Sequence, residues 1–235
     1  MTPFQHTQTC INHIRKQSDV VICMYSGGKD SLVLLDLLAK TFTEVHAVFM
    51  YLVKDLEHQQ PLLRWAEEHY KNVTLHQYPH WMLSHYLKFG HMTFHKGNDD
   101  ISIIKAVHIE DDVRRKVGSH WIASGERRAD SLKRYMFLGM MKFDSIAEGR
   151  KHFYPLSHWK KEQVQKYLTI NRLIAPCTYN PKANSNGVGL DLETMLYLRE
   201  KYPADLEKIL TVFPFAGKIL FEHEQSGENS LPAEV

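Results

Sequence analysis

Hydrophobic and polar positions follow two rhythms along the chain. Val20–Met24 is a short β-branched and apolar run, as a strand covered on both faces requires. Leu32, Leu34, Leu35, Leu37 and Leu38 then recur with helical spacing. The same reading predicts strands at 19–25, 44–53, 72–78, 120–125 and 152–156, and helices at 31–41, 57–70, 101–117, 129–142, 160–172 and 191–201. Strands separated by helices imply right-handed crossovers. The expected fold is therefore α/β: one domain over residues 1–222, with a mostly parallel five-stranded sheet and helices on both faces. The Gly-, Asn- and Pro-rich stretches 88–100 and 178–190 predict mobile loops near a site, and 223–235 a disordered tail.

At 235 residues the chain can bury a core without disulfide or metal staples. Its composition, 43% hydrophobic and 24% charged, is that of a soluble globular protein. No apolar run reaches the roughly 18 residues that cross a bilayer. The polar start MTPFQHTQTCINHIRKQ has no signal-peptide core. Cys10, Cys23 and Cys177 are isolated from one another, with no CxxC. That pattern predicts a reducing, cytoplasmic setting and argues against a cysteine-held zinc or iron–sulfur site. His91 and His95 share one loop but have no evident third ligand, so they read as solvated loop residues. Residues 114–161 hold twelve Lys/Arg against four Asp/Glu, an excess of +8 in a chain whose net charge is +2, so the remainder carries −6. Such a half suits a phosphate-bearing ligand, nucleic acid included, and equally an ordinary solvated face.

Ligands of open α/β sheets bind beyond the carboxyl ends of the strands. The turns at 26–31, 54–58, 125–131 and 157–160 should share that edge. The turn Ser26-Gly27-Gly28-Lys29-Asp30-Ser31 joins the first strand to the first crossover helix. Two glycines allow close backbone approach, and the helix that follows aims its free N–H groups and positive dipole end at the same point. This is a phosphate cradle by geometry. It is not a Walker A loop, because Gly28-Lys29 is followed by Asp30 and the first glycine is misplaced; a GxGxxG fingerprint fails too. A helix-capping turn would explain Asp30 or Ser31, but not both glycines together with Lys29.

The SGGKDS turn resembles the PP-loop of ATP pyrophosphatases. The segment ASGERRADSLKRYMF (123–137) resembles the G-x-R-x-x-E/D-S-x-x-R segment of the phosphoadenosine phosphosulfate reductase superfamily and of the small subunit of ATP sulfurylase. FYPLSHWKKEQVQKYL (153–168) resembles the P-L-x-x-W segment of the same proteins. The resemblance covers roughly residues 18 to 180 and implies an adenine nucleotide alpha hydrolase-like sheet that binds ATP. Ser26, Gly27, Gly28, Lys29, Asp30, Ser31, Gly125 and Arg134 are then expected to bind the nucleotide. Lys29, Asp30, Arg127 and Arg128 are expected to carry catalysis, and Asp30 to cap the helix or hold Mg²⁺. The bidentate guanidinium groups of Arg127 and Arg128 suit phosphate or sulfate, with Arg134 behind them or simply on the surface. Trp159 and Leu156 read as core.

The chain also departs from that family. The reductases attack sulfur with a cysteine in a C-terminal Glu-Cys-Gly-Leu-His-like tail, and no cysteine follows Cys177. The expected function is adenylyl transfer from ATP to an oxyanionic or other acidic acceptor with release of pyrophosphate. The alternatives are a sulfonucleotide reductase without its usual cysteine, a nucleic-acid-modifying enzyme and a non-catalytic nucleotide-binding regulator. The expected partners are an adenine nucleotide and an acidic acceptor, with no membrane. No feature of the sequence sets an oligomeric state.

Overall fold

The computed structural model describes residues 1–93, 97–176 and 190–228. Its elements in chain order are α1 (Pro3–Arg15), β1 (Val20–Met24), α2 (Lys29–Ala39), β2 (Glu44–Tyr51), α3 (Gln60–Glu68), β3 (Val73–Pro79), α4 (Trp81–Phe89), α5 (Ala106–Val117), β4 (Ile122–Ala123), α6 (Leu132–Gly139), β5 (Ile146–Ala147), β6 (His152–Phe153), α7 (Lys161–Ile170), α8 (Leu192–Lys201), α9 (Pro203–Val212) and α10 (Ala216–Glu228). They fall into two compact units. One comprises Met1–Met50, Pro61–Tyr78 and Val107–Cys177, the other Tyr51–Gln60, Pro79–Ala106 and Thr178–Val235.

The first unit carries the α/β sheet, in the order β3-β2-β1-β4-β6-β5. β1 pairs parallel with β2 and with β4, β4 parallel with β6, and β5 antiparallel with β6. The sheet is mostly parallel, as expected, but has six strands rather than five. The extra strand is β5, two residues that pair antiparallel with β6 and lie in a polar stretch, KFDSIAEGR, without an apolar run around them. Val21, Ile22 and Cys23 at the sheet centre are fully buried, as are Leu32, Val33, Leu34, Leu35 and Leu38 of α2. A helix buried on most sides must satisfy its polar atoms internally. Asp36 of α2 does so by accepting from Tyr70 Oη (2.7 Å), Tyr167 Oη (2.6 Å) and Lys40 Nζ (2.7 Å). Leu156 and Trp159 are core residues.

Several elements differ from the periodicity reading. α1 lies in a stretch read only as polar. A capping box of Thr2 with Gln5 starts it, and it buries His6, Thr7, Cys10, Ile11 and Ile14. The helix expected at 129–142 is a 3₁₀ turn over Arg128–Asp130, followed by α6 alone. Ser131 is extended there (φ −166°) and accepts from the Arg134 N–H, which restarts the helix. α5 begins at Ala106 rather than 101.

The second unit is helical. Val53, Leu56, Met195, Leu198, Ile209 and Phe213 form the centre of its core. α4 occupies the start of the stretch read as the 88–100 loop and ends on Gly90, whose φ of +66° suits a left-handed cap. α10 carries the chain through 223–228, where a disordered tail was expected. His91 is exposed after α4, whereas His95 and most of the 178–190 stretch lie outside the described residues. One buried carboxylate ties the unit together. Asp205 of α9 accepts from the main-chain N–H of Glu57 (2.7 Å) and His58 (2.9 Å) and from His58 Nδ1 (2.7 Å). Burial opposes the Asp205 charge, but those donors outweigh it and hold its pKa below the ordinary carboxylate value. Burial lowers the His58 pKa as well, so a neutral ring donates to the carboxylate.

Asp205→Ala removes the acceptor of three hydrogen bonds and should cost about 3 kcal/mol, read from urea midpoints at neutral pH. A depressed carboxyl pKa gives stabilisation that is complete above the unfolded-state value and disappears as pH falls through the folded-state value. The acid limb of the stability profile should therefore be shallower in the variant.

Candidate functional site

The turn after β1 is built by its own polar groups. Gly27 has φ +71°, the left-handed region that favours glycine, and a Cβ there would stand 3.2 Å from Leu62 Cδ1. Gly28 is different: its φ of −76° is open to any residue, and it caps α2 without a side-chain hydrogen bond. Ser31 Oγ donates to the Gly28 carbonyl (2.9 Å) and accepts from the Ser26 N–H (3.2 Å). Ser26 Oγ donates to Ser31 Oγ (3.3 Å) and accepts from the Gly28 N–H (3.4 Å). The two hydroxyls thus brace the loop, and the positive end of α2 meets it without a capping oxygen.

Charged side chains then alternate outward from that helix end. Lys29, only 8% exposed, places Nζ 3.2 Å from Asp30 Oδ2. Asp30 Oδ1 lies 3.2 Å from Arg127 Nε, close enough to pair charge but not aligned as a hydrogen bond. Arg127, 5% exposed, donates from Nη2 to Asp130 Oδ1 (2.6 Å), while its main-chain N–H donates to Asp130 Oδ2 (3.1 Å). Its Nη1 is buried with no hydrogen-bond partner. Arg134 Nη1 reaches Asp130 Oδ2 at 3.5 Å and is half exposed. Three cations against two carboxylates leave the array net positive.

Gly125 is what brings the two turns together. A Cβ on it would lie 3.3 Å from the Asp30 carbonyl carbon and 3.4 Å from Asp30 Cβ and O. A side chain there would push the β4 turn off the first turn of α2.

The adjacent arginines do not share a task. Arg127 is extended (φ −125°, ψ 147°), which turns its neighbour to the other side. Arg128 pairs through Nη1 with Asp144 (2.5 Å), lies 3.5 Å from His158 Nε2, and stacks its guanidinium 4.1 Å from the Tyr135 ring centroid. Asp144 and Phe143 are both in the left-handed region, at φ 52° and 53°. His6 Nε2 donates to the Phe143 carbonyl at 2.6 Å, and the His6 ring stacks on His158 at 3.8 Å. The cluster expected of Arg127, Arg128 and Arg134 is therefore divided: Arg127 and Arg134 face Asp130, and Arg128 faces Asp144. His6, Asp144 and His158 had no local signal, being scattered over 150 residues of sequence. Glu126 also went unnoticed. Burial pushes its carboxyl above the ordinary range beside Arg134, and a perturbed carboxyl next to a cationic array is a proton-transfer candidate.

Magnesium fits the expected position poorly. A carboxylate already faced by Lys29 and Arg127 offers little attraction to a divalent ion. Among the described residues no group of three His, Cys, Asp or Glu could hold a metal. Cys10 and Cys23 are fully buried, and burial pushes the Cys10 thiol up to about 11 and Cys23 higher still. Cys177 lies outside the described residues.

The family model of the phosphoadenosine phosphosulfate reductase domain matches residues 20–181. No curated protein matches the sequence. The crystal structure of phosphoadenylyl-sulfate (PAPS) reductase from Candida auris, a phosphate complex, superposes with a TM-score of 0.48 at 17% identity, covering 75% of this chain and 82% of that one. The family match takes in the braced turn, Gly125, Arg127 and the whole parallel part of the sheet from β1 to β6, and by it the chain belongs to the phosphoadenosine phosphosulfate reductase domain family.

Proposed function

We propose that the chain binds ATP with its phosphates at residues 26–31 and transfers adenylyl to an oxyanionic acceptor, releasing pyrophosphate. The observation that supports this reading is Arg127: a guanidinium almost wholly buried, with Nη1 unpaired in hydrogen bonding, held beside the phosphate-cradle turn by Asp30. Asp30 and Asp130 already face the charge, and the unpaired Nη1 edge is left to donate to a tetrahedral oxyanion.

In this reading the pyrophosphate end lies against the Gly27–Lys29 backbone, Lys29 and Arg127. An acceptor oxygen bonds to the α-phosphorus, and the bond from that phosphorus to the α,β-bridging oxygen breaks. Its electron pair leaves with pyrophosphate. Negative charge grows on the leaving group, where Lys29 and Arg127 stabilise it most. A carboxylate, phosphate or sulfate acceptor arrives ionised, so the attack needs no base; for a protonated acceptor Glu126, whose carboxyl burial pushes above the ordinary range, is a candidate base. The basic stretch 114–161 gives little support to a nucleic-acid acceptor, because much of its charge is spent on carboxylates of its own unit. Arg115 and Lys116 pair with Asp112, Arg128 with Asp144 and Lys142 with Glu148.

Family membership favours a second reading, reduction of a sulfonucleotide. There a cysteine thiolate bonds to the sulfonate sulfur, the sulfur–oxygen bond breaks, and the nucleotide phosphate leaves. A dithiol reductant then frees sulfite and is itself oxidised to the disulfide. Cys10 and Cys23 are unsuited to that attack, being buried with raised thiol pKa values.

Arg127→Met should weaken ATP binding by roughly ten- to a hundredfold, measured calorimetrically in protein whose fold is checked by circular dichroism. Gly27→Val should do at least as much, since a β-branched residue resists φ +71°. Unaltered ATP affinity in both folded variants would place the site elsewhere.

The two chemistries separate on cysteine. Pyrophosphate release from ATP, screened over carboxylate, phosphate and sulfate acceptors, should persist when Cys10, Cys23 and Cys177 are all changed to Ser or Ala. Sulfite release from a sulfonucleotide with thioredoxin as reductant should be undetectable in the unmodified protein. Sulfite release that vanishes on Cys177→Ser alone would establish the reductase instead.

A further inference from the structure

We propose that the stacked rings of His6 and His158 form a latch, which fastens α1 to the turn that carries Arg127 and lets go when acid charges both rings. The rings lie face to face, their centroids 3.8 Å apart and their planes 7° from parallel. His6 comes from α1, and His158 from the turn after β6. One charge in such a pair has a neutral ring to lie against. Two imidazolium rings at this distance repel, and because His6 is buried there is little water to screen them.

The surroundings offer the pair one counter-charge, and it is already shared. Asp144 Oδ2 lies 3.2 Å from His158 Nε2, but the same oxygen holds Arg128 Nη1, itself 3.5 Å from His158 and covered by Tyr135 of α6. His6 is worse placed for a proton. Its Nε2 donates to the Phe143 carbonyl and lies 3.3 Å from Ser145 Oγ, whereas Nδ1 faces only the Cys10 sulfur, 3.9 Å away, among the described residues. The next charged groups, His13, Lys142 and Glu148, are occupied with one another. Burial, the largest influence, lowers the His6 pKa from its ordinary 6.5; His158 and Arg128 add to this, and the Phe143 carbonyl and Asp144 oppose it. A lowered histidine pKa gives stability that is complete above the unfolded-state value and is lost as pH falls through the folded-state value.

What the latch holds is a strained segment. Phe143 and Asp144 both have positive φ, so the turn beside His6 is biased towards opening once its restraints go. From there a line of hydrogen bonds reaches the functional site. Ser145 Oγ meets Ser157 Oγ at 2.6 Å, and the Ser157 carbonyl accepts from the N–H of Arg128, the residue after Arg127, at 2.9 Å. The other ties of α1 do not share the response to acid. The hydrogen bonds of Thr7 to the Pro155 carbonyl and Trp159 carry no titrating group, and a proton on His13 strengthens its contact with Glu148. Acid therefore acts on the His6 end of the interface selectively.

The test is amide exchange followed by NMR on the whole protein at about pH 7 and about pH 5, corrected for intrinsic rates. In acid, protection of Cys10 and Ile11 in α1 and of Arg128 should fall about tenfold or more, the effect of a one-unit pKa difference, while Ile22 at the sheet centre keeps its own. His158→Phe retains a flat ring against His6 and removes one of the two charges, so its loss over the same range should stay under about threefold. Ring carbon shifts of the unmodified protein give a second readout: His6 should become charged only as protection is lost. Unchanged protection in acid, an equal loss in His158→Phe, a parallel loss at Ile22, or charged His6 and His158 rings that remain in contact would each overturn the latch.

Discussion

The Asp30 carboxylate makes the site possible, because two cations are buried beside it. Lys29 and Arg127 each approach it to 3.2 Å from different turns, one leaving β1 and the other leaving β4. Without an intervening negative charge, a lysine and an arginine this poorly solvated would repel, and the two turns would be driven apart. Asp30 joins them electrostatically and Gly125 joins them sterically, its bare Cα lying on the Asp30 backbone. The cationic edge presented beyond the sheet is thus a product of one carboxylate and one missing side chain. This arrangement also explains why Asp30 serves better as an organiser of cations than as a ligand for one.

Arg127 and Arg128 show how backbone conformation divides labour between adjacent residues. Extended geometry at Arg127 sends the two side chains to opposite sides. One enters the phosphate-cradle array, and the other braces a separate cluster of Asp144, His158 and His6. That second cluster rests on two consecutive residues with positive φ, one of them a phenylalanine, which is a costly conformation. The His6 hydrogen bond to the Phe143 carbonyl and the Arg128 pairing with Asp144 are what hold it. Through Tyr135, the same arginine extends this rigidity to the exposed face of α6.

The central sheet and its first crossover were legible because their signals are local. Val20–Met24 and the leucines of α2 display their burial directly in period and composition. α1 was not legible, although it packs on the same unit. Its buried positions include His6 and Thr7, which are admitted to the core by hydrogen bonds that sequence does not announce: Thr7 Oγ1 donates to the Pro155 carbonyl at 2.7 Å and accepts from Trp159 Nε1 at 2.8 Å. β5 failed for want of apolar neighbours, since β4 and β6 are equally short but sit in apolar runs, and α10 for its polar composition. In the site, the glycine turn was readable as a motif, yet the motif does not tell which glycine is strained. Gly27 is the one in the left-handed region, whereas Gly28 is conformationally ordinary. The separation of Arg128 from Arg127 depends on Asp144 and His158, which no spacing rule connects to either.

In the proposed reading the cationic cradle fixes an electrophile, and the attacking group has to come from elsewhere. The serine hydroxyls nearest the cradle are committed to one another and to the loop backbone, which leaves neither poised as a nucleophile. Two thiols of the same unit are buried, and burial raises their pKa values, so the thiolate that sulfur chemistry requires is suppressed at both. Lys29 is held in an ion pair with Asp30. In the proposed reading, the site binds and polarises a substrate and the described residues around it do not attack. A site of that kind suits a reaction whose nucleophile is brought by the second substrate, and an acceptor oxyanion that enters already ionised meets this requirement with the least demand on the protein.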